Sequence, residues 1–230
     1  MSFLVAIDGP AGSGKGTIAS LVAKKLNLIH IDTGAMYRCI TLFVLNNDIQ
    51  KDDEEKIVQA LKNIEIDQKI ENGNQVVLLN GEDVSKEIRT ERINKVVSDI
   101  SSIQKVRENL LVMQRKLAEN KDIIMEGRDI GTVVFPNADV KIYLDGSLEE
   151  RAKRRYKEYL EKGMSITFEE AKQSIINRDE KDTNRKFGAL RKAEDAVRVD
   201  TTQMSIDEVV EKVVEIVNNK KRDIGERDEL

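Results

Sequence analysis

The stretch whose residue types could do chemistry is Gly9-Pro10-Ala11-Gly12-Ser13-Gly14-Lys15-Gly16-Thr17. Its glycines let backbone N–H groups turn inward around an anion. A lysine in this place reaches the outer phosphates of a nucleoside triphosphate. Gly9 and Gly14-Lys15 stand at phosphate-loop spacing, but Gly16 occupies the position where that pattern expects Ser or Thr. The one candidate hydroxyl for magnesium is therefore that of Thr17, and no other metal ligand is assigned.

Elsewhere the chemistry on offer is cationic. Arg38, Arg107 and Arg128 are scattered along the chain, and Arg178, Asp182 and Arg185 are spaced i, i+4 and i+7, which on a helix is one face. Two guanidinium forks on one face could grip phosphate or base; a solvated, ion-paired surface helix is the alternative that spacing leaves open. Arg151, Arg154 and Arg155 form a further basic face, from which Arg154 is assigned to the nucleotide triphosphate. The single histidine, His30, cannot build a metal cluster, and Cys39 is expected to be a small buried hydrophobe. No Ser-His-Asp arrangement is legible. Arginine with a phosphate loop suits phosphoryl transfer to an acceptor that is already an anion, where positioning and charge do the work and no general base is needed.

These residues need elements to place them. Phe3–Ile7 is an apolar run of strand length that breaks at Asp8, and a helix follows the loop with Ile18, Leu21, Val22 and Leu26 on one face. Leu28–Ile31 reads as a second strand before Asp32-Thr33-Gly34 and a helix to about Leu45; Asp52–Asn63 reads as another helix. Ile64–Lys69 and Gln75–Leu79, with a turn at Glu71-Asn72-Gly73-Asn74 and a tight hairpin signal at Asn80-Gly81 before Glu82–Ser85, predict an inserted antiparallel meander. Thr90–Leu117 is helical with a break near Ser101-Ser102. Ile123–Glu126, Val140–Leu144 and Ala196–Asp200 complete the strands, and Ser147 caps a helix whose Glu149 and Glu150 suit its N-terminal dipole. A helix from Thr167 to about Asp182 leads into a loop, and Ser205–Val217 is a last amphipathic helix burying Ile206, Val209, Val210, Val213, Val214 and Val217.

Strands alternating with helices predict an α/β fold, a five-stranded parallel sheet flanked by helices. Ligands of such sheets sit beyond the strands' carboxyl ends, where the polar clusters fall: Gly9–Thr17, Asp32–Arg38, Glu126–Gly131 and Asp145–Ser147. The organisation expected is a core over 1–62 with the phosphate loop, the meander over 63–90, core over 91–150, a mobile lid over 151–188, core over 189–217 and a polar, frayed tail over 218–230.

Composition narrows the class. The chain has 230 residues, a net charge of −4 and 35% charged residues, which argues against sequence-blind nucleic-acid binding, and 4% aromatic residues leave few stacking platforms for bases. No run approaches membrane-span length, no secretory leader is expected at this N-terminus, and the Arg227-Asp228-Glu229-Leu230 ending reads as a coincidental likeness to a retrieval tag. A soluble, cytoplasmic, monomeric protein is expected.

Four motifs together resemble a family: Asp8–Thr17, Asp32-Thr33-Gly34-Ala35-Met36-Tyr37-Arg38, Gly127-Arg128-Asp129-Ile130-Gly131-Thr132-Val133-Val134-Phe135-Pro136, and Arg178-Asp179-Glu180-Lys181-Asp182-Thr183-Asn184-Arg185. In order and spacing, from residue 3 to about 217, the chain resembles bacterial cytidylate kinases, phosphate-loop kinases of nucleoside monophosphates. The resemblance implies in-line transfer of the γ-phosphoryl of ATP to CMP or dCMP with Mg2+, and makes the meander part of an enlarged monophosphate-binding domain. It further implies that Gly9–Thr17 hold the ATP phosphates. Thr33 (Ser in many relatives), Ser98, Arg107 and Asp129 would engage the cytosine or ribose side. Arg38 and Arg128 would grip the acceptor phosphate, Asp182 and Arg185 the sugar, and Arg178 would act from the closing lid. Lys15, Arg128, Arg178 and Arg185 are thus the expected catalytic set. Two rivals stay open: a phosphate-loop kinase for another small acceptor such as UMP, AMP or shikimate, and a regulatory nucleotide switch, for which no guanine-reading Asn/Thr-Lys-x-Asp element is present.

Overall fold

The computed structural model describes residues 2–71, 74–161 and 163–228, with the side chains of 226–228 left aside. Its strands and helices, in order, are β1 (Leu4–Asp8), α1 (Lys15–Leu26), β2 (Ile29–Asp32), α2 (Thr33–Asn46), α3 (Glu54–Ala60), β3 (Ile66–Glu71), β4 (Asn74–Leu79), β5 (Glu82–Asp83), α4 (Glu91–Ile100), α5 (Gln104–Ala118), β6 (Ile123–Gly127), β7 (Val140–Asp145), α6 (Leu148–Glu161), α7 (Phe168–Thr183), β8 (Val197–Asp200) and α8 (Ile206–Asp228). Two compact units result: Met1–His30 with Asn120–Leu230, and Ile31–Glu119.

The first unit is built on a parallel sheet. Among the described residues it has five strands in the order β2-β6-β1-β7-β8. Register lines up the strand ends: Asp8 lies opposite Gly127 and Tyr143, and Asp145 opposite Asp200. The loops that follow β1, β6, β7 and β8 therefore all begin at one edge, as a ligand site in such a sheet requires. Val5, Ile7, Ile124, Ile142 and Leu144 bury the sheet against α1 and α8.

In α1 the buried face is Ile18, Ala19, Val22 and Ala23, while Leu21 is 40% exposed. Apolar spacing selects Leu21 for the buried face; close approach of a helix to a sheet favours Ala19 and Ala23 instead. Similarly, α8 buries Val209, Val210, Val213, Val214 and Val217 but leaves Ile206 exposed. It also runs to Asp228, so the expected frayed tail is helical over most of its length. Lys221 Nζ sits 4.8 Å above the Phe3 ring, a long-range anchor that composition does not reveal. Of the retrieval-like ending, Glu229 and Leu230 lie outside the described residues.

The second unit packs α2, α3, α4 and α5 with a small antiparallel sheet ordered β3-β4-β5. Met36, Cys39, Ile40, Ile57, Ile88, Ile93, Ile100 and Leu110 fill its core. Cys39 is buried, as expected, and its thiol is pushed up to about 12, chiefly by that burial. The Asn80-Gly81 signal is met by two left-handed residues, at φ 51 and 86, the geometry a two-residue hairpin needs. The strand after it is short, ending at Asp83 rather than Ser85. Asn72 and Gly73 of the other predicted turn lie outside the described residues. The α4–α5 break falls at Ser101–Ile103, as predicted near Ser101-Ser102.

Candidate active site

Everything in the first unit's site starts from the edge where β1 ends. Asp8 closes that strand with its carboxylate buried, accepting N–H bonds from Ile130 (2.8 Å) and Gly131 (2.7 Å). Burial drives its pKa up to about 6 against the pull of those two bonds. Asp8 thus fixes the turn after β6 to the start of the glycine loop. The carboxylate in an otherwise apolar strand was the available sequence signal, because a buried charge demands partners.

The loop itself is tight. A Cβ on Gly9 would stand 2.0 Å from the Leu144 carbonyl oxygen, closer than any packing allows, and Gly12 (φ 73) would put one 2.9 Å from the Arg151 carbonyl oxygen. Gly9→Ala is therefore expected to be lost as soluble protein or to melt well below the unaltered chain. A Tm within a few degrees would show that the loop can shift aside.

Lys15 opens α1 and is 5% exposed. Its Nζ donates to the Pro10 carbonyl (2.8 Å) and Ser13 Oγ (3.3 Å), curling back over the loop. Burial, then the charges of Arg128 and Arg178, lower its pKa to about 7; Glu126 and Asp182 oppose them. These interactions place Lys15, Glu126, Arg128, Arg178 and Asp182 in one electrostatic cluster. Arg128 Nε donates to Asp182 Oδ2 at 2.7 Å, and Arg185 Nη2 pairs with Asp182 Oδ1 at 2.5 Å. Burial alone would push the Asp182 carboxyl up, but Arg128, Arg185 and Arg178 outweigh it and hold it below the usual carboxylate range.

Arg185 differs from its sequence reading. Helix α7 ends at Thr183, so Arg185 is on the following loop and not on a face shared with Arg178; it reaches Asp182 by folding back. Arg154 lies beside the loop, donating to Thr201 Oγ1 (2.9 Å) and the Thr201 carbonyl (2.7 Å), with its Nη1 3.5 Å from the Ser13 carbonyl oxygen. Asp129 is buried at the turn after β6, its carbonyl accepting from Val133 (2.8 Å) and Val134 (3.1 Å). Arg151, read in the sequence only as part of a basic face, and Asp179, given no role of its own there, contact the loop directly.

Thr33, Arg38, Ser98 and Arg107 all belong to the second unit. Thr33 is buried at the first turn of α2, whose cap is Asp32 accepting from the Ala35 N–H at 2.9 Å. Gln68 of β3 locks that cap: it accepts from the Asp32 N–H (2.9 Å) and donates to the Asp32 carbonyl (2.8 Å). Arg38 donates to the Ile88 carbonyl (3.0 Å) and Asn94 Oδ1 (2.7 Å). Arg107 is buried, 5.3 Å above the Tyr37 ring, and donates to the Ser101 carbonyl at 3.3 Å. Ser98 Oγ is buried without a hydrogen-bond partner among the described residues. A buried hydroxyl in that state asks for a ligand atom or water.

A family model described as cytidylate kinase matches residues 5–219. The chain belongs to the cytidylate kinase family. The cytidylate kinase of Fusobacterium nucleatum subsp. nucleatum is 53% identical over 209 residues, which is 91% of this chain and 94% of that protein. That of Caldicellulosiruptor bescii is 50% identical over 212 residues, 92% and 94% of the two chains. Among solved structures, a gluconokinase from Sinorhizobium meliloti 1021 aligns over 98% of this chain and 97% of its own with a TM-score of 0.50 at 10% identity, a likeness of fold alone.

Magnesium is implied by this family's chemistry. Among the described residues no group of three His, Cys, Asp or Glu side chains could hold a metal ion. A magnesium ion carried on phosphates needs only one or two protein oxygens. The Thr17 hydroxyl is exposed on the first turn of α1, and Glu126 Oε1 lies 3.2 Å from where a Cβ on Gly16 would stand. That acidic oxygen, close to the space a Ser or Thr side chain would take, fits an ion held mainly by nucleotide.

Proposed function

We propose that the protein transfers the γ-phosphoryl of ATP to CMP or dCMP, forming ADP and CDP or dCDP. Family membership supports the acceptor class. The observation that carries the chemistry is the cluster of Lys15, Arg128 and Arg178 around the buried Asp182, beside the glycine loop. The negatively charged phosphates of two nucleotides brought end to end need cations fixed beforehand, and a low-dielectric site makes each worth more than in water.

On this reading the amides of Gly9–Thr17 cradle the ATP phosphates, with Arg154 on the donor side. Lys15 turns from the Pro10 carbonyl to the outer phosphates. Arg128, with Arg38, holds the acceptor phosphate, whose oxygen is the nucleophile and is already ionised. Thr33, Ser98, Arg107 and Asp129 select the base and ribose; Asp182 and Arg185 hold the sugar. Arg178 faces the transferring group. Segment 151–188 acts as a lid that excludes water, so that ATP is not hydrolysed when the acceptor is missing. Thr17 and Glu126, together with the nucleotide's phosphates, would hold magnesium, which would supply charge neutralisation there. No helix among the described residues is long and apolar enough to cross a membrane.

The test is ADP production from ATP and magnesium with CMP, dCMP, UMP or AMP added singly. Formation of the diphosphate from CMP and dCMP ahead of the others is expected. ADP release that ignores the added monophosphate, or UMP or AMP as the better acceptor, would overturn the reading.

A further inference from the structure

Ala11, in the middle of the glycine loop, is held on both polar groups by side chains from far along the chain. Its N–H donates to Asp179 Oδ1 at 2.9 Å, and its carbonyl accepts from Arg151 Nη1 at 2.9 Å. The two gripping side chains are paired with each other, Arg151 Nη1 to Asp179 Oδ2 at 2.5 Å, and Arg151 Nε also donates to the Gly146 carbonyl at 3.0 Å. Only 10% of the Arg151 side chain and 20% of that of Asp179 is exposed. Under this pair Ala11 packs with Ala152 of α6 and Ile175 of α7 in a small apolar cluster. A loop rich in glycine is thus clamped at one residue, on the peptide groups to either side of its Cα, by a charge pair, two hydrogen bonds and a hydrophobic contact.

Asp179 directly follows Arg178, and Asp182, one turn later on the same helix, holds Arg128 and Arg185. The stretch of α7 that supplies the cluster's charges therefore also grips the loop. We infer that Arg151 and Asp179 are positioning residues for the phosphate donor: through the backbone N–H and carbonyl of Ala11 they hold the loop in its anion-binding shape and tie donor affinity to the docking of α7. Neither is a catalytic residue. The inference rests on Gly9–Thr17 being the ATP cradle.

The physical reason is preorganisation. An unclamped loop with glycines at 9, 12 and 14 must lose its freedom when ATP binds, and that cost comes out of affinity. Removing the clamp should consequently act on the donor and spare the acceptor. A merely structural role would lower Tm and affect both substrates alike.

Calorimetric titration with a non-hydrolysable ATP analogue, with KM for ATP and for CMP measured alongside, decides it. Asp179→Ala removes both the acceptor and the charge and is expected to weaken analogue binding about tenfold, as loss of a charge-assisted bond implies. Asp179→Asn retains an acceptor oxygen for Ala11 and is expected between the two. KM for ATP should follow binding while KM for CMP stays within about twofold. The double variant Asp179→Ala with Arg151→Met should be no worse than the worse single, because the two act as one unit. Should Asp179→Ala not fold, the nearly isosteric Asp179→Asn decides by the same comparison. Analogue binding within about twofold of the unaltered protein in the folded variants, or equal rises in both KM values, would overturn the inference. Failure of the unaltered protein to bind the analogue would instead overturn the ATP-cradle reading, and the inference with it.

Discussion

Turnover is expected to fall by about 10²-fold or more when Arg128 is replaced by alanine, with the fold retained. The size follows from where the guanidinium stands. It leaves the end of a fully buried strand, 16% of its side chain is exposed, and it is held by a carboxylate that is 2% exposed. Burial works against its charge, and Asp182, by charge and hydrogen bond, together with the charges of Glu126 and Asp179, more than offsets that. A donor preset in so dry a place costs no reorganisation when an acceptor phosphate arrives. The fold should survive because Asp182 keeps Arg185 at 2.5 Å, so the cost stays below the ~3–5 kcal/mol of a buried charge left wholly unpaired. The pH dependence has a definite sign. Asp182 has a lowered pKa in the folded chain, so its contribution to stability is present above the ordinary carboxylate range and is lost as pH falls through its folded value. Without Arg128 that value rises and part of the contribution disappears. The deficit in Tm should accordingly be largest near neutral pH and shrink on acidification. Arg128→Lys keeps a charge without the planar fork and should lie between. Saturating kcat at about pH 7.5, and Tm followed from about pH 7.5 down through the ordinary carboxylate range to about pH 3, check both statements; kcat within about threefold of the unaltered enzyme would remove Arg128 from the reacting charges.

The parts of this architecture that are legible in sequence are those decided locally. The loop before α1 announces itself because strand, glycines and lysine are consecutive. The Asn80-Gly81 hairpin does so because two left-handed residues in a row suit few other side chains. Three of the four family motifs are legible because each sits on the few residues after one strand, whereas the fourth lies on the end of α7 and the loop beyond it. What stayed hidden depends on distance along the chain. Asp8 meets Ile130 and Gly131, Ala11 meets Asp179 and Arg151, and Lys221 meets Phe3; no spacing rule joins such positions. Arg185 shows the limit of periodicity, since i+7 is one face only while the helix lasts and α7 stops at Thr183. Leu21 and Ile206 show that an apolar side chain near the end or edge of a helix face can stay exposed when smaller neighbours fit the sheet better.

Lys15→Met is expected to cut kcat by about 10³-fold while weakening binding of a non-hydrolysable ATP analogue by only about tenfold, because the amine follows charge that grows on the transferring group. Its resting state gives a second, independent signature. With its pKa lowered to about 7 by burial first and then by Arg128, much of Lys15 has lost its proton at about pH 8. Nucleotide phosphates beside it favour the ammonium form. Binding of the analogue at about pH 8 should then take up a proton, seen as a binding enthalpy that changes with the ionisation enthalpy of the buffer. The effect should fade at about pH 6, where the amine is already charged, and vanish in Lys15→Met. Stability moves the same way: between about pH 7 and 10.5 the unfolded chain keeps a proton on this lysine that the folded chain has released, so this group's share of stability rises with pH over that window. Below it the folded protein buries an ammonium at full cost. Lys15→Met removes that cost, so the variant should match or exceed the unaltered protein in Tm, by a margin that widens as pH falls toward 6. Equal analogue-binding enthalpies in two buffers at about pH 8 would mean that Lys15 stays charged in the free protein, and that its burial is offset more completely by Glu126 and Asp182 than the cluster's arrangement indicates.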